Sequence, residues 1–408
     1  WANNYGALLQ AYALCKRLSA MGHEATVIDY TPGNCRAPYW KGWGLNCGRQ
    51  MPAYALRRYR FEQFRRNVLP LSRPCNSAAE LGALAASLDT VIVGSDQVWN
   101  GHIVGTSDRH YFLDFVSPEK TGIASYAACF GDPNQPDHTV DAARTYLPRF
   151  HHVSARNEMS AALVRTHGGR EAAIVTDPTM LHDFSGIQGK PPMSGPYIAA
   201  YYVSPDHAPD GRSVLREVAD ELGLPVVSVG SDRKVLGADV SHVQAGPAEW
   251  VNAFRHASFI VTDSFHGTIF ALKFRKPFVV WPGYRTGRLT HLLGSCGLPE
   301  RLLGQEGGIK AGELAQRRPA QADRIRVHLL RRFEGDPDRQ RGLALAQALD
   351  ADVLARGLEG IRAAQGALAR GRALLQLRDY AAAESAAGDA LARAGADARH
   401  TVLAQALE

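Results

Sequence analysis

Short apolar runs alternate along most of the chain with segments in which apolar residues recur every three or four positions. The runs predict β-strands. In chain order they are 25–30, 89–93, 123–128, 151–155, 174–175, 197–203, 225–229, 259–262 and 277–281. Segments with helical spacing include 7–21, 213–222 and 249–257. Strands that alternate with helices are typical of a parallel sheet covered by helices, so the fold class is α/β.

Two sets of alternating elements are separated by a stretch rich in Gly and Pro at 186–196. This stretch predicts a first domain over 1–187 and a second over 188–350. Each is expected to be Rossmann-like and doubly wound, and the two are expected to face a cleft. The chain opens with a helix and then a strand, so we expect the first strand of the first domain to lie upstream of Trp1.

The composition changes to Ala, Arg, Leu and Gln from about residue 309, which predicts an all-α tail over 351–408. Part of this tail resembles one tetratricopeptide unit. Its small and large positions would be Gly371, Leu374, Tyr380, Ala383, Ala387 and Ala390. The tail is therefore interpreted either as the start of an array that binds a protein partner or as a generic Ala-rich helical tail.

Composition narrows the class of protein. The 408 residues are 45% hydrophobic and 21% charged, which is ordinary for a globular enzyme. A net charge of +6 fits an anionic small molecule or surface and is too small to indicate nucleic-acid binding. The six cysteines form no C-x-x-C pair or zinc pattern, which favours reduced thiols and no metal. Without a run long enough for a transmembrane helix, the sequence predicts a cytoplasmic protein, free or at the inner membrane surface.

The polar cluster that follows the apolar run at 259–262 is the strongest candidate for chemistry. It places Ser264 and His266 where a helix begins, and Gly267 and Thr268 follow. The free N–H groups at a helix start attract anions, and histidine exchanges protons near neutral pH. The cluster therefore predicts either an anion site with an acid/base residue or a capping loop whose histidine only satisfies local hydrogen bonds.

Polar residues also follow strands in the first half of the chain. Ser95, Asp96 and Gln97 lie after one strand and could orient hydroxyl groups, and Asp96 is a second acid/base candidate. The alternative for Asp96 is a turn or helix cap. Arg156 ends another strand, and its planar fork suits a carboxylate or phosphate, although a surface or interdomain ion pair would also explain it.

Four further residues are weaker candidates. Asn4 and Gly6 begin the first helix, where a glycine permits close approach of the backbone to a ligand and an asparagine also serves as a cap. Asp263 either orients His266 or belongs to a turn. Arg288 either supplies a cation to a bound anion or is an exposed arginine at a helix start.

Five strings along the chain resemble the polysaccharide pyruvyl transferase family. They occupy 4–14, 93–100, 153–158, 177–179 and 262–268, in the family's order. Val-Gly-Ser-Asp-Gln-Val-Trp-Asn at 93–100 and Ser-Phe-His-Gly at 264–267 are the most specific. The resemblance does not extend to the tail after about residue 350. Many relatives have Arg-Leu-His where this chain has Ser264, Phe265 and His266.

The resemblance implies a fold similar to GT-B glycosyltransferases and a reaction without a cofactor. The enolpyruvyl group of phosphoenolpyruvate would be transferred as a ketal to hydroxyls of a cell-surface polysaccharide or its precursor. It implies that His266 is the general acid/base and that Arg156 binds the donor, while Ser264 replaces a donor-binding arginine. The alternatives are a GT-B glycosyltransferase that uses a nucleotide sugar, which Ser264 favours, and a non-catalytic α/β scaffold with an interaction tail.

Overall fold

A computed structural model describes residues 2–32, 51–203, 208–231, 235–281 and 287–303. The predicted tail at 351–408 lies outside the described residues, and so does the part of the predicted second domain after residue 303.

Helices and strands alternate along the described chain. The α-helices are α1 Tyr5–Ala20, α2 Met51–Val68, α3 Ala78–Ala85, α4 Gly101–Val104, α5 Asp137–Tyr146, α6 Glu158–Gly168, α7 Ala208–Leu222, α8 Pro247–His256, α9 Phe265–Lys273 and α10 Gly287–Ser295. The strands are β1 Val27–Tyr30, β2 Leu71–Cys75, β3 Thr90–Val93, β4 Gly122–Ser125, β5 Ser154–Ala155, β6 Ala173–Ile174, β7 Ile198–Tyr201, β8 Val226–Val229, β9 Val240–His242, β10 Phe259–Thr262 and β11 Phe278–Val280. Short 3₁₀ helices lie at Gly105–Phe112, Leu147–Arg149, Pro178–Leu181 and Pro299–Arg301.

Two compact units make up the described chain. The first contains the residues up to Pro74 together with those from Thr176 onward, and the second contains Cys75–Val175. This division differs from the predicted one at 187 and 188, because the amino-terminal elements belong with the second half of the chain. The apolar face of α1, including Tyr5 and Leu9, is buried in the same core as Trp250.

The first unit contains a five-stranded sheet in the order β11-β10-β7-β8-β9, and every neighbouring pair is parallel. Strand order therefore reverses between β7 and β10, the first and fourth strands of this sheet along the chain. In open parallel sheets, ligands bind outside the carboxyl ends of the strands at such a reversal. β10 ends there at Thr262, directly before the Ser264–His266 cluster. β1 and β2 form a separate pair.

The second unit also contains parallel strands. β3 pairs with β4, and β5 pairs with β6. Single parallel bridges join Ala124 in β4 to His152 before β5, and Ala128 after β4 to Ala155 in β5. Another joins Asp96, after β3, to Ala128. β4 therefore lies between β3 and β5, and Asp96 and Arg156 follow the carboxyl ends of these two outer strands. Parallel α/β structure is confirmed in both units.

Local sequence explains the first two helices. Asn4 caps α1, since its side-chain oxygen accepts a hydrogen bond from the N–H of Ala7, and the chain leaves the helix with Gly22 at φ +87°. In the basic helix α2, Phe61 and Phe64 are buried. Strand β2 was not predicted, because its sequence Leu-Ser-Arg-Pro-Cys lacks an apolar run and includes a proline.

Candidate functional site

The start of α9 is built by hydrogen bonds of Ser264. Its hydroxyl oxygen accepts from the N–H of Gly267 at 3.3 Å, and its carbonyl accepts from both the N–H and the hydroxyl of Thr268 at 2.9 Å. These contacts are those of a helix cap. They fix the first turn of the helix, from which the side chain of His266 projects.

Gly267 is required by close packing of α9 on the sheet. A Cβ atom at this position would stand 2.3 Å from Oγ1 of Thr262, the last residue of β10. Oγ1 of Thr262 is itself held, because it donates to the carbonyl oxygen of Tyr201 at 2.7 Å on β7. The helix start is therefore anchored directly at the reversal of strand order.

The imidazole of His266 is enclosed on two sides. Its side chain is 10% exposed, and Nε2 lies 3.4 Å from Oδ2 of Asp177, whose side chain is 1% exposed. Nε2 is shielded from solvent and makes no hydrogen bond at this distance and orientation. On the other side, a Cβ atom at Gly6 would stand 1.9 Å from Nδ1. The histidine thus lies between a carboxylate and the first turn of α1.

Asp177 comes from outside the predicted set of site residues. Its Oδ1 accepts from the N–H and the hydroxyl of Thr179, at 3.0 and 2.7 Å, which leaves Oδ2 turned toward His266. Sequence reasoning had considered Asp263 for this position, but Oδ1 of Asp263 accepts from the N–H of Val203 at 2.7 Å. The available signal was that Asp177 lies in one of the five family strings.

The start of α1 contributes packing and charge. Gly6 leaves room for the imidazole, and Asn4 acts as the cap, so each has a structural task in the first unit. The Tyr5 hydroxyl donates to the carbonyl oxygen of Ala245 at 2.6 Å. The guanidinium of Arg57, on α2, lies 5.4 Å from the centre of the Tyr5 ring, a cation–π contact. A positive group therefore lies beside the first residue of α1.

In the second unit, Arg156 and Asp96 form an ion pair. The Arg156 side chain is 3% exposed, and its guanidinium lies 3.6 Å from Oδ1 of Asp96, which is 21% exposed. Asp96 has φ +76°, a left-handed conformation that costs a non-glycine residue on the order of 1 kcal/mol. Strain of this kind concentrates at functional sites. It is here combined with a buried ion pair within the second unit, which differs from the surface or interdomain pair that the sequence left open as an alternative.

The neighbours of Asp96 are engaged locally. Ser95 is fully buried. The side-chain oxygen of Gln97 accepts from the amide of Asn100 at 2.9 Å, and a Cβ at Gly131 would stand 2.1 Å from that oxygen. Arg288 lies in the first turn of α10 in the first unit and is partly buried.

A buried lysine lies at the other end of α9. Nζ of Lys273 donates to the carbonyl oxygen of Met180 at 3.4 Å and lies 5.7 Å from the centre of the Phe184 ring. Burial lowers the pKa of Lys273 to about 8, although the Asp183 carboxylate opposes the shift. Burial also lowers the pKa of the nearby His182.

Among the described residues, no group of three or more His, Cys, Asp and Glu side chains is arranged to hold a metal ion. No helix within the described ranges is both long and apolar enough to cross a membrane.

The family model for polysaccharide pyruvyl transferases matches residues 4–281, more than half of the chain. The chain belongs to the polysaccharide pyruvyl transferase family. The match includes all five strings as well as His266, Asp177, Arg156 and Asp96. The polysaccharide pyruvyl transferases are transferases, and the family description indicates a glycan acceptor.

Other comparisons give weaker similarities. No curated protein matches the chain significantly. The S. aureus MnaA–UDP co-structure is 13% identical, with a TM-score of 0.42, and the match covers 79% of this chain and 87% of that one. UDP-GlcNAc 2-epimerase from Neisseria meningitidis bound to UDP-GlcNAc is 11% identical, with a TM-score of 0.42 and coverage of 86% and 98%. Glycosyltransferase VinC in complex with dTDP is 14% identical, with a TM-score of 0.33 and coverage of 90% and 96%.

Proposed function

We propose that this pyruvyl transferase moves the enolpyruvyl group of phosphoenolpyruvate onto two hydroxyls of a cell-surface polysaccharide or its precursor. In this reaction one hydroxyl adds across the donor's double bond, and its proton goes to the methylene carbon, which becomes a methyl group. The second hydroxyl displaces phosphate, which carries away the other proton. The product is a pyruvate ketal, and the reaction needs proton transfer but no oxidant or reductant.

The observation that carries this proposal is the enclosed position of His266 at the start of α9. The ring has a carboxylate on one side and the first turn of α1 on the other. A histidine so held can take a proton from an attacking hydroxyl and deliver one to the methylene carbon. Such general acid–base catalysis typically contributes about 10²- to 10⁴-fold to a rate.

Two helix starts supply a positive potential near this ring. α1 and α9 both begin beside His266, and the N–H groups at a helix start attract phosphates and carboxylates. This potential supports the binding of a donor with both groups. Gly6 and Asn4, at the start of α1, are the positions that we propose to contribute. The N–H groups of Gly267 and Thr268, which the sequence also suggested, bond to Ser264 instead.

A cation is also needed in place of the arginine that many relatives carry at Ser264. Arg288 remains our proposed substitute, and Arg57, which lies over the Tyr5 ring, is a second candidate. In the second unit we propose that Arg156 binds a substrate carboxylate or phosphate. Asp96 would then be released from its ion pair to orient an acceptor hydroxyl or exchange its proton, with Ser95 and Gln97 shaping the same loop.

The experiment is to incubate the full chain with phosphoenolpyruvate and candidate glycans and to detect both phosphate and a ketal product. Thermal stabilisation by phosphoenolpyruvate is compared with stabilisation by nucleotide sugars. We expect stabilisation by phosphoenolpyruvate and ketal formation. Stabilisation by a nucleotide sugar alone would favour the GT-B glycosyltransferase alternative, and no stabilisation by either ligand would favour the scaffold alternative. Both outcomes contradict the proposal.

A further inference from the structure

We infer that Asp177 is a positioning residue that keeps the hydrogen of neutral His266 on Nε2, so that Nδ1 is the nitrogen that exchanges protons with the substrate. The second half of this inference rests on the proposed function. The first half, the location of the hydrogen, does not.

The carboxylate of Asp177 is oriented by contacts that do not involve His266. Both donors of Thr179 bind its Oδ1, within a turn that is closed to solvent. A carboxylate held through one oxygen keeps the other oxygen in a defined direction. Here Oδ2 is directed at Nε2 of His266, at 3.4 Å.

The buried Nε2 is the nitrogen that needs this partner. It is shielded from solvent, and it has no hydrogen-bond partner in the present arrangement. A buried polar group left without a partner costs about 1–3 kcal/mol, so a small rotation that brings Nε2 and Oδ2 into hydrogen-bond geometry is favoured. Because a carboxylate only accepts hydrogen bonds, Nε2 must then carry the hydrogen, and neutral imidazole has its lone pair on Nδ1.

The surroundings of Nδ1 favour the same tautomer. Nδ1 lies against Gly6 in the first turn of α1, where the helix dipole is positive. In this positive potential, a nitrogen that carries a lone pair is more stable than one that carries a hydrogen. The carboxylate on one side and the helix on the other therefore act in the same direction.

The frame that holds these groups is continuous. The 3₁₀ turn Pro178–Leu181, which directly follows Asp177, packs against both α1 and α9. Its Met180 carbonyl is held by Lys273 at the far end of α9. Gly6, His266 and Asp177 thus belong to three elements that are packed on one another within the first unit.

The location of the hydrogen can be read by nitrogen NMR on the full chain with ¹⁵N-labelled histidine. The chain has 15 histidines, so His266→Gln identifies the signals of His266. We expect the neutral ring to show a protonated Nε2 and an unprotonated Nδ1, and we expect Asp177→Asn to change the proportion of the two tautomers. A hydrogen on Nδ1 in the unmodified protein, or an unchanged proportion in Asp177→Asn, would overturn the inference whether or not the protein transfers pyruvate.

The positioning role is read from kinetics. Asp177→Asn should lower kcat by about 10²-fold or more with little change in KM. The substitution disturbs the orientation of the His266 ring and leaves the groups that bind the substrate in place. Unchanged kcat in an Asp177→Asn enzyme that still makes the ketal would leave the proposed function intact and refute the positioning role.

Two variants serve as references. Asp183→Asn makes the same chemical change at an exposed carboxylate that accepts from the N–H of Ser185, so it should leave kcat unchanged. Thr179→Val keeps the Asp177 carboxylate and removes one of the two bonds that fix it. We expect a loss in kcat of about tenfold or less, and this milder variant preserves the test if Asp177→Asn does not fold.

Discussion

His266 in the first unit and Arg156 in the second follow carboxyl ends of parallel strands, and each has an aspartate beside it. The two aspartates differ. Asp177 is almost wholly buried, and two hydrogen bonds from Thr179 orient its carboxylate independently of His266. Asp96 is 21% exposed and has a strained backbone.

This difference separates two uses of a carboxylate. A buried carboxylate that accepts two hydrogen bonds can hold a neighbouring ring in one orientation. This suits a catalytic group that is oriented before the substrate binds. A partly exposed carboxylate on a strained residue can be replaced by a substrate anion at a lower cost in free energy than a buried carboxylate. The His266 region is therefore interpreted as preorganised, and the Arg156 region as open to exchange.

Among the variants that probe this comparison away from His266 itself, the largest effect should come from Arg156→Lys. Lysine keeps the positive charge but loses the planar fork, so we expect kcat/KM for the donor to fall by about 10²-fold, mainly through KM. Arg165→Lys is the matched control in the same unit. Arg165 forms an exposed two-bond pair with Glu171 at 2.6 and 2.8 Å, and its replacement should leave kcat/KM within about twofold. Equal values for the two variants would remove Arg156 from the proposed substrate site.

Gly6→Ala should have the next largest effect. The new methyl group would overlap Nδ1 of His266, and overpacking of this kind destabilises by about 1–3 kcal/mol. Gly294→Ala, in helix α10 with open space around it, should be neutral or stabilising by about 0.5–1 kcal/mol. The free energies of unfolding are measured by denaturant titration.

A double-mutant cycle sharpens this test. If the imidazole is what the methyl group meets, then Gly6→Ala should cost much less in a His266→Ala background. The same cost in both backgrounds would show that the first turn of α1 does not enclose the histidine.

The smallest effect concerns the pH dependence of stability through Lys273. Because its pKa is lowered from 10.5 to about 8 by burial, the unfolded chain binds more protons than the folded chain between these pH values. Stability conferred by the neutral amine is therefore gained as pH rises through this window and is absent below it. Relative to Lys273→Met, the unmodified protein should gain roughly 1–3 kcal/mol from pH 8 to 10.5. A flat difference for Lys273 would contradict the lowered pKa of its amine.

Local patterns in the sequence predict much of this fold. The strand at 259–262 has the predicted bounds, because four apolar residues stand directly before a polar cluster. Asn4 before an apolar helix predicts its cap, and the cap is present. Strand β2 gives no such signal. The apolar face of α1 shows that the helix packs but does not identify its partner, so its place in the core of the first unit was not predictable.

The site is predictable only in part for the same reason. His266 could be placed at a helix start from neighbouring residues. Its contact with Asp177 joins positions that are far apart in the chain, and no local pattern encodes such a pairing. Likewise the glycine at position 6 suggested approach of a ligand, whereas the group that lies against it is an imidazole of the same chain.

The most direct test of the account is the rate of ketal formation from phosphoenolpyruvate by His266→Gln, measured beside the unmodified protein. Glutamine keeps a polar side chain in the space between Asp177 and Gly6 but cannot exchange a proton at neutral pH. We predict a fall in kcat of about 10²- to 10⁴-fold with a melting temperature that stays close to that of the unmodified protein. Ketal formation at an unchanged rate by His266→Gln would contradict the central claim.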